Sequence, residues 1–245
     1  MDTINNQHTF YPLSESENKD NVIKKLTERA KADDAEVIIV GTITDKGVPE
    51  EYSHNPYAIP FGVDGMSWAE TLTLLFGDIY GLMDKGRELY KEAILECYKK
   101  ESYKSDAVGQ YDIYRYIKDK SVSNDKDAES YSRLACRLEA YNNIKFLTDA
   151  YAVQLFEHTH GADAKKFLCG SIVAAKFASL MAKQSEKKKN VTFILDSAET
   201  ILCESKIYDM IYALAAGVGM TICSVVKDSQ KLPKFVINNS KAIIL

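Results

Sequence analysis

The segment from Asn190 to Val226 leaves this chain few folds to adopt. It opens with the apolar run Val191–Leu195 (VTFIL), continues through a helical pattern at Glu199–Ala216, and closes with a second apolar run, Met220–Val226 (MTICSVV). Two short apolar and β-branched runs on either side of a helix predict a strand–helix–strand unit. A crossover helix joins strands that run the same way, so the two strands are predicted to be parallel. Asp196 then lies at the carboxyl end of its strand, where open α/β sheets build their binding sites.

Composition limits the class of protein. The chain has 245 residues, 46% of them hydrophobic and 27% charged, which is ample for one α/β domain with a helical insert. With a net charge of −4, the chain has no overall basic excess that would indicate nucleic-acid binding, although a local basic patch could still bind nucleic acid. No apolar run approaches the roughly 20 residues that span a bilayer, so no membrane insertion is expected. Dispersed cysteines without a CxxC pair predict reduced thiols in a cytosolic protein: Cys97, Cys136, Cys169, Cys203 and Cys223.

The remaining elements follow from periodicity and from turn residues. Ser67 is predicted to cap a helix that ends at Met83, with Glu70 completing a capping box. His158 and His160 are two residues apart, and two imidazoles alone make no closed zinc site, so they are interpreted as polar loop residues. The other predicted strands are Thr9–Tyr11, Glu36–Thr42, Tyr151–Phe156 and Ala242–Leu245, and the other predicted helices are Asn21–Lys31, Lys85–Glu101, Tyr111–Asp119, Ala128–Tyr141 and Ala162–Ala182.

Five pieces of the chain together resemble one known family. In chain order they are Asn55-Pro56-Tyr57 with Ile59-Pro60, Leu72–Tyr98, Ala128–Tyr141, Val191–Leu202 and Lys231–Leu245. Their order and spacing resemble the HerA–FtsK superfamily of ring-forming P-loop ATPases, nearest to HerA and the conjugation or type IV secretion ATPases, with Val191–Leu202 similar to the Walker B strand and its helix. The resemblance implies an α/β fold with a RecA-like, mostly parallel sheet flanked by helices, a hexameric ring, and ATP-driven movement of DNA or protein.

The resemblance also implies how a single RecA-like domain, residues 1–245, is divided. Residues 1–20 form a polar amino-terminal segment that contains the P-loop position, residues 66–147 form a helical insert, and residues 148–245 form the Walker B side of the sheet.

The phosphate-binding loop is the first motif that departs from the family. A P-loop needs GxxxxGK[ST], because glycines let backbone N–H groups converge on the phosphates and the lysine reaches their oxygens. The chain has no such motif, and the equivalent position is residues 13–20, LSESENKD. Lys19 stands where the motif lysine belongs, but Asn18 replaces its glycine and Asp20 its hydroxyl residue. Two glutamates in the loop add negative charge where a triphosphate would lie.

The second half of the implied site is also incomplete. Asp196 occupies the Walker B position and is the candidate ligand for magnesium and for catalysis, but Ser197 replaces the glutamate that would polarise water. The alternative interpretation of Asp196 is a strand-end carboxylate that caps the next helix. Lys227 stands where the family places a glutamine that senses the γ-phosphate. The run Ala213-Leu214-Ala215-Ala216 can supply no arginine finger.

Three hypotheses for function remain. The first is a degenerate RecA-like subunit that does not hydrolyse ATP, needs no cofactor, and acts as a structural or regulatory partner in a DNA-translocation or type IV secretion-type assembly. It would be a cytoplasmic homo- or hetero-oligomer with RecA-like ATPase subunits, peripheral to a membrane complex. The second is an active motor ATPase that uses ATP and Mg²⁺ with Lys19, Asp196 and Lys227 in the site. The third is a nucleic-acid-binding module that has kept a DNA-facing surface.

Overall fold

The computed structural model describes residues 8–41, 54–100, 108–123, 126–142, 161–183 and 190–243. The chain divides into two compact units. The first contains residues 1–42 and 176–245, and the second contains residues 43–175. The domain boundaries expected from the sequence remain predictions.

The first unit contains a five-stranded sheet. The strands are β1 (His8–Pro12), β2 (Glu36–Val40), β3 (Val191–Asp196), β4 (Met220–Val226) and β5 (Ser240–Ala242). Their order is β2-β3-β4-β1-β5, and every pairing among these strands is parallel. The predicted α/β class and the parallel pairing of the strands on either side of the 199–216 segment are confirmed.

Helix α1 (Lys19–Ala32) covers one face of this sheet. Its apolar residues Val22, Ile23 and Leu26 lie in one core cluster with three sheet residues, Ile194 of β3, Tyr11 of β1 and Val225 of β4. The spacing of the helical residues places them on one stripe, and strand alternation places the sheet residues on one face. The burial of this stripe is the main force that fixes α1 to the sheet.

The opposite face is covered by helices that follow β3 and β4. Helix α8 (Lys206–Leu214) carries Tyr212, whose hydroxyl lies 3.1 Å from the Ser224 hydroxyl of β4. Helix α9 (Lys234–Asn239) carries Phe235, which stacks on Tyr208 of α8 with ring centroids 6.0 Å apart. The sheet is therefore flanked by helices on both faces. Between β3 and α8 lies the short helix α7 (Ala198–Ile201), and 3₁₀ turns occupy Ala215–Val218 and Ser229–Lys231.

The second unit is helical in the part that the structure describes. Its helices are α2 (Gly65–Tyr80), α3 (Asp84–Lys100), α4 (Gln110–Ser121) and α5 (Ala128–Asn142), together with the first part of α6 (Gly161–Ala182). The Asn-Pro-Tyr segment anchors them. Trp68 Nε1 donates to the Pro56 carbonyl at 3.0 Å, and the hydroxyls of Tyr57 and Tyr90 lie 2.7 Å apart.

Several element predictions need correction. The cap of α2 is Asp64 and not Ser67, because the Asp64 carboxylate accepts the Ser67 backbone N–H at 2.9 Å, while Glu70 pairs with Lys91. The single helix predicted at 199–216 is broken into α7, α8 and a 3₁₀ turn. Helix α9 was not anticipated. The predicted strand 151–156 and the two histidines after it lie outside the described residues. No helix in the described ranges is long and apolar enough to cross a membrane.

Candidate functional site

The carboxyl ends of β1, β3 and β4 meet at one edge of the sheet, because the three strands are neighbours and parallel. The chain leaves β1 for β2 on one side, whereas it leaves β4 for β5 on the other side of β1. The crevice between β1 and β4 is therefore a switch point, where open α/β sheets place their ligands. Residues 13–18, Asp196 and Lys227 all follow or end these strands.

Lys19 and Asp196 form an ion pair at this edge. The Lys19 Nζ lies 2.8 Å from the Asp196 Oδ2, and the Ser197 hydroxyl donates to the other carboxylate oxygen at 3.0 Å. The Asp196 side chain is 1% exposed and that of Lys19 is 34% exposed. A carboxylate this deeply buried is costly unless it is paired and hydrogen-bonded, and Asp196 is both. The structure thus brings together two residues that lie far apart in the sequence.

The loop between β1 and α1 satisfies its own polar groups. Glu17 folds back over the loop, and its carboxylate accepts the Ser14 backbone N–H and the Ser14 hydroxyl, each at 2.9 Å, and the Tyr11 hydroxyl. The hydrogen bond from Tyr11, followed by those from Ser14, lowers the pKa of Glu17. This loop therefore presents a fixed negative charge, and the Ser14 N–H that could meet an anion is already occupied.

The amino terminus of α1 is likewise capped from within. Asn18 is the N-cap, and its side chain accepts the Asn21 backbone N–H at 3.1 Å. Asp20 places an acidic side chain in the first turn. Both features satisfy the partial positive charge of a helix amino terminus, which in a phosphate-binding loop is available to an anion.

The turn after β3 is sterically tight. Ser197 has φ 55° and ψ 52°, in the left-handed region, and it begins α7 without a side-chain capping bond. Asp196 bonds Lys19 and Ser197, and the interpretation of its carboxylate as a cap for the following helix stays a prediction. Gly41, just after the neighbouring β2, has φ 99°, and a Cβ there would come within 2.6 Å of the Asp196 carbonyl oxygen. The close approach requires glycine at position 41.

Lys227 follows β4 at the same edge but does not join the ion pair. Its backbone N–H donates to Glu199 Oε1 at 3.3 Å, and within the described residues its side chain forms no hydrogen bond or ion pair. The other carboxylate oxygen of Glu199 is buried and has no partner in that part of the chain. Glu199 therefore links the segment after β3 to the segment after β4, a role that sequence periodicity could not reveal.

The residues at this edge do not fit a magnesium site as they stand. Mg²⁺ requires oxygen ligands in near-octahedral geometry, usually one or two carboxylates with waters. The Asp196 carboxylate is bonded to a cation, and Glu199 is turned toward a backbone N–H. Among the residues that the structure describes, no group of three or more His, Cys, Asp or Glu side chains is arranged to hold a metal ion.

No protein-family model matches the sequence, and no curated protein matches it. Solved structures do match the fold. A structure of VirB4 of Thermoanaerobacter pseudethanolicus superposes with a TM-score of 0.60 at 15% identity, over 96% of this chain and 100% of the solved VirB4 chain.

The bacterial conjugative coupling protein TrwB, as its ΔN70 unbound form, gives a TM-score of 0.59 at 9% identity, over 92% of this chain and 64% of the solved TrwB chain. TrwB in complex with the non-hydrolysable GTP analogue GDPNP gives 0.57 at 10% identity, over 92% of this chain and 65% of that one. At these identities the likeness concerns the fold alone, and the expected resemblance is confirmed at that level: this chain shares its RecA-like α/β fold with the VirB4 and TrwB structures.

Proposed function

We propose that this chain is a RecA-like subunit that does not hydrolyse ATP and serves as a structural or regulatory partner in a DNA-translocating or type IV secretion-type assembly. The observation that carries the proposal lies at the carboxyl edge of the sheet. There Lys19 forms an ion pair with Asp196, and the Glu17 carboxylate accepts the Ser14 backbone N–H of the loop. The groups with which a RecA-like ATPase would hold a triphosphate and its metal are bonded among themselves.

Charge supports the absence of nucleotide binding. The loop and first helical turn carry Glu15, Glu17 and Asp20, and the only cation among residues 13–20 is Lys19. Two like unit charges about 4 Å apart repel by about 4 kcal/mol at the effective dielectric constant of a protein surface. A triphosphate would meet this repulsion and would also separate Lys19 from a buried carboxylate. The loop also lacks the glycines that would let its backbone N–H groups converge on the phosphates and offset this repulsion.

Chemistry supports the absence of hydrolysis. The residue after Asp196 is Ser197, whose hydroxyl donates to that same aspartate and lacks the basicity of a general base near neutral pH. The run Ala213-Leu214-Ala215-Ala216 carries no arginine. Lys227 stands at the position of the expected γ-phosphate sensor, and its backbone N–H donates to the Glu199 carboxylate.

An exposed apolar surface supports the partner role. Met210 and Leu214 lie one turn apart on α8 and are 42% and 49% exposed, and Ile237 on the adjacent α9 is 47% exposed. We call these three residues the α8–α9 surface. Met210 and Leu214 are neighbours on one helix face, and neighbouring exposed apolar side chains mark protein–protein contacts more often than isolated ones do. In this proposal the surface docks RecA-like ATPase subunits in the cytoplasm, at the periphery of a membrane complex.

Calorimetric titration of the purified chain with MgATP tests the first half of the proposal. We expect no heat of binding and no phosphate release. Micromolar binding that Lys19→Ala abolishes, together with magnesium-dependent hydrolysis that Asp196→Ala abolishes, would replace this proposal with the active motor.

The motor alternative is favoured by one observation, the contact between Lys19 and Asp196, since an active site would need both residues in one place. The two proposals differ in what breaks the contact. In a motor, MgATP would displace Asp196 from Lys19, so adding MgATP would raise the melting temperature of the wild type but not that of Lys19→Ala. In the non-hydrolysing subunit, MgATP changes neither melting temperature.

A further inference from the structure

A groove lies on the α1 face of the sheet, in the amino-terminal half of its strands and away from the Lys19–Asp196 pair. It is an open groove of about 410 Å³ between α1 and strands β1, β3 and β4. Small-molecule sites in proteins begin at about 300 Å³. We call this space the α1 groove. No step of the proposed function uses it.

The floor of the α1 groove is polar where the rest of the same sheet face is apolar. Thr192 of β3 is the register partner of Thr221 of β4, and Thr9 of β1 is the partner of Cys223. By strand alternation these four share the face that carries Tyr11, Ile194 and Val225 further along the strands, and those three lie in the apolar core under α1. The change from apolar to hydroxyl side chains along one face marks a surface built for a polar occupant.

Three side chains that line the groove carry hydrogen-bond donors, the exposed guanidinium of Arg29 and the half-buried hydroxyls of Thr192 and Thr221. The side chains of Arg29, Thr192 and Thr221 form no hydrogen bond or ion pair within the described part of the chain, and all three line the groove. Asp33 and Asn190 lie at its rim, so one carboxylate faces the same space as the guanidinium. The Thr9 hydroxyl donates to the Cys223 sulfur at 3.2 Å. Burial raises the pKa of the Cys223 thiol, while Thr9 and the charge of Arg29 act to lower it, which places the guanidinium within electrostatic reach of the floor.

We propose that the α1 groove binds a small organic oxyanion, a carboxylate or a phosphate ester. Arg29 supplies the cationic fork that matches two oxygens of such a group, and the hydroxyls of Thr192 and Thr221 donate to it from below. The thiol of Cys223 lies in the floor, so a bound anion covers it.

Alkylation of Cys223 by iodoacetamide, followed by peptide mass spectrometry, reports occupancy. The probes are citrate, as a carboxylate, and glycerol 3-phosphate, as a phosphate ester, each at millimolar concentration. We expect at least one probe to slow the alkylation of Cys223 by about fivefold or more, the effect of a mostly occupied site. Cys136 is exposed and belongs to the other unit, so its alkylation rate serves as the reference within the same molecule and should not change.

Two variants of α1 make the test specific. Arg29→Gln should abolish the protection of Cys223, whereas Lys25→Gln, which removes an equal charge from a position of the same helix that does not line the groove, should preserve it. The probe should likewise raise the melting temperature of the wild type and of Lys25→Gln but not of Arg29→Gln. The proposal is overturned if neither probe protects Cys223, if Arg29→Gln stays protected, or if both variants lose protection alike. None of these outcomes bears on whether MgATP binds at the carboxyl edge.

Discussion

At the scale of single residues, the buried carboxylate at the end of β3 is expected to have a large effect on the free energy of unfolding. Asp196 is balanced by the ammonium group of Lys19 and by the hydroxyl of Ser197. Removing one member of a buried pair costs about 3–5 kcal/mol, because the other charge stays buried and unpaired. Since a third of the Lys19 side chain is exposed and water would partly solvate the vacancy, we expect Lys19→Ala to lower the free energy of unfolding by about 2 kcal/mol.

Urea denaturation measures this loss, and Lys24→Ala is the matched control. Lys24 is an exposed lysine of the same helix with no bond in the described residues, so its removal should change stability by less than about 0.5 kcal/mol. The double variant Lys19→Ala/Asp196→Asn should recover much of the loss, because the unpaired charge is gone. Equal stabilities for Lys19→Ala and Lys24→Ala would show that the ion pair contributes nothing to folding.

Glu17 gives a second prediction at this scale, with its control two residues away. Glu17→Ala frees the Ser14 N–H and hydroxyl and the Tyr11 hydroxyl, whereas Glu15→Ala removes the same charge from the same loop without breaking a bond in the described residues. We expect faster hydrogen exchange at the Ser14 amide in Glu17→Ala only. Equal exchange in the two variants would mean that charge, and not the contact, orders the loop.

The pH dependence of the Glu17 contact follows from the sign of its shift. Hydrogen bonds from Tyr11 and Ser14 lower the pKa of Glu17 in the folded chain. Its stabilising effect is therefore fully present above the pKa of an unfolded glutamate, about 4.3, and is lost as the pH falls through the lower folded value. Wild type and Glu17→Ala should differ in stability at neutral pH and converge in acid.

His8 produces a pH effect in a higher range. It is 2% exposed, its Nδ1 accepts the Ile222 backbone N–H, and its Nε2 bonds the Tyr212 carbonyl, each at 3.0 Å, so the ring is neutral. Burial lowers the pKa of His8. Below about pH 6.5 the histidine is protonated in the unfolded chain but stays neutral in the folded chain, because its folded pKa is lower. The free energy of unfolding therefore falls as the pH decreases from 7 to 5.

His8→Gln should flatten this dependence, as measured by urea midpoints at several pH values. His54 serves as the comparison, because burial lowers its pKa to about 4 and it contributes a loss over the same interval from the other unit. His8→Gln and His54→Gln should each remove part of the slope and the double variant more than either. An unchanged slope in His8→Gln would show that folding does not shift the pKa of His8.

At the scale of elements, the turn that follows β2 limits how closely the chain approaches β3. Gly41 has φ 99°, and a Cβ there would meet Ile201 Cδ1 at 2.4 Å and the Asp196 carbonyl at 2.6 Å. We expect Gly41→Ala to cost about 2 kcal/mol or more, since it combines left-handed strain with a backbone clash. Gly217→Ala is the control, because nothing lies within 4 Å of a Cβ at that position, and it should be neutral or slightly stabilising in thermal unfolding.

Sequence patterns predicted the elements that have strong local signals. The strands β3 and β4 and their parallel pairing followed from two apolar runs around a helical segment. The break between α7 and α8 was missed, because the pattern from 199 to 216 continues across Ser205, which caps α8 by accepting the Ile207 N–H. Helix α9 was missed because a helix of this length has little periodicity of its own. The cap at Asp64 was missed because Ser67 and Glu70 offered a capping box three residues later.

The candidate site was predictable only in part, and the reason is distance along the chain. The positions of Lys19 and Asp196 followed from the resemblance, but their ion pair joins residues 177 apart, and no local pattern encodes such a contact. The return of Glu17 to Ser14 depends on one side-chain conformation, and the contact of Glu199 with Lys227 depends on where β4 ends. The demand for glycine at position 41 depends on the approach of β3, which only the folded chain shows.

At the scale of the whole molecule, the fold is similar to that of ATPase structures, but the contacts at the carboxyl edge of the sheet do not favour nucleotide binding. The fold is that of the VirB4 and TrwB structures. The edge that carries chemistry in such sheets is closed by bonds among the chain's own residues. In the proposed partner role, assembly depends on the exposed apolar side chains of the outer helices α8 and α9.

Association with a RecA-like ATPase is therefore the outcome we expect, and it should depend on the α8–α9 surface. The double variant Met210→Lys/Leu214→Lys places two charges on this surface, and at 42% and 49% exposure neither side chain is part of the core. It should fold as the wild type does by circular dichroism and should lose an ATPase, identified by mass spectrometry, that co-purifies with the wild type from its own cells. Met83→Lys is the control, because Met83 is 82% exposed in the other unit.

Because the proposed contact needs no nucleotide, Lys19→Ala should retain the ATPase that the double variant loses, and added MgATP should not change the amount captured. Light scattering gives the mass of the purified chain independently of capture. A chain that is monomeric at high concentration and that captures no ATPase would refute the partner role. If Lys19→Ala loses the captured ATPase and the surface variant retains it, the contact lies at the carboxyl edge and not on α8 and α9. That outcome would favour the active motor.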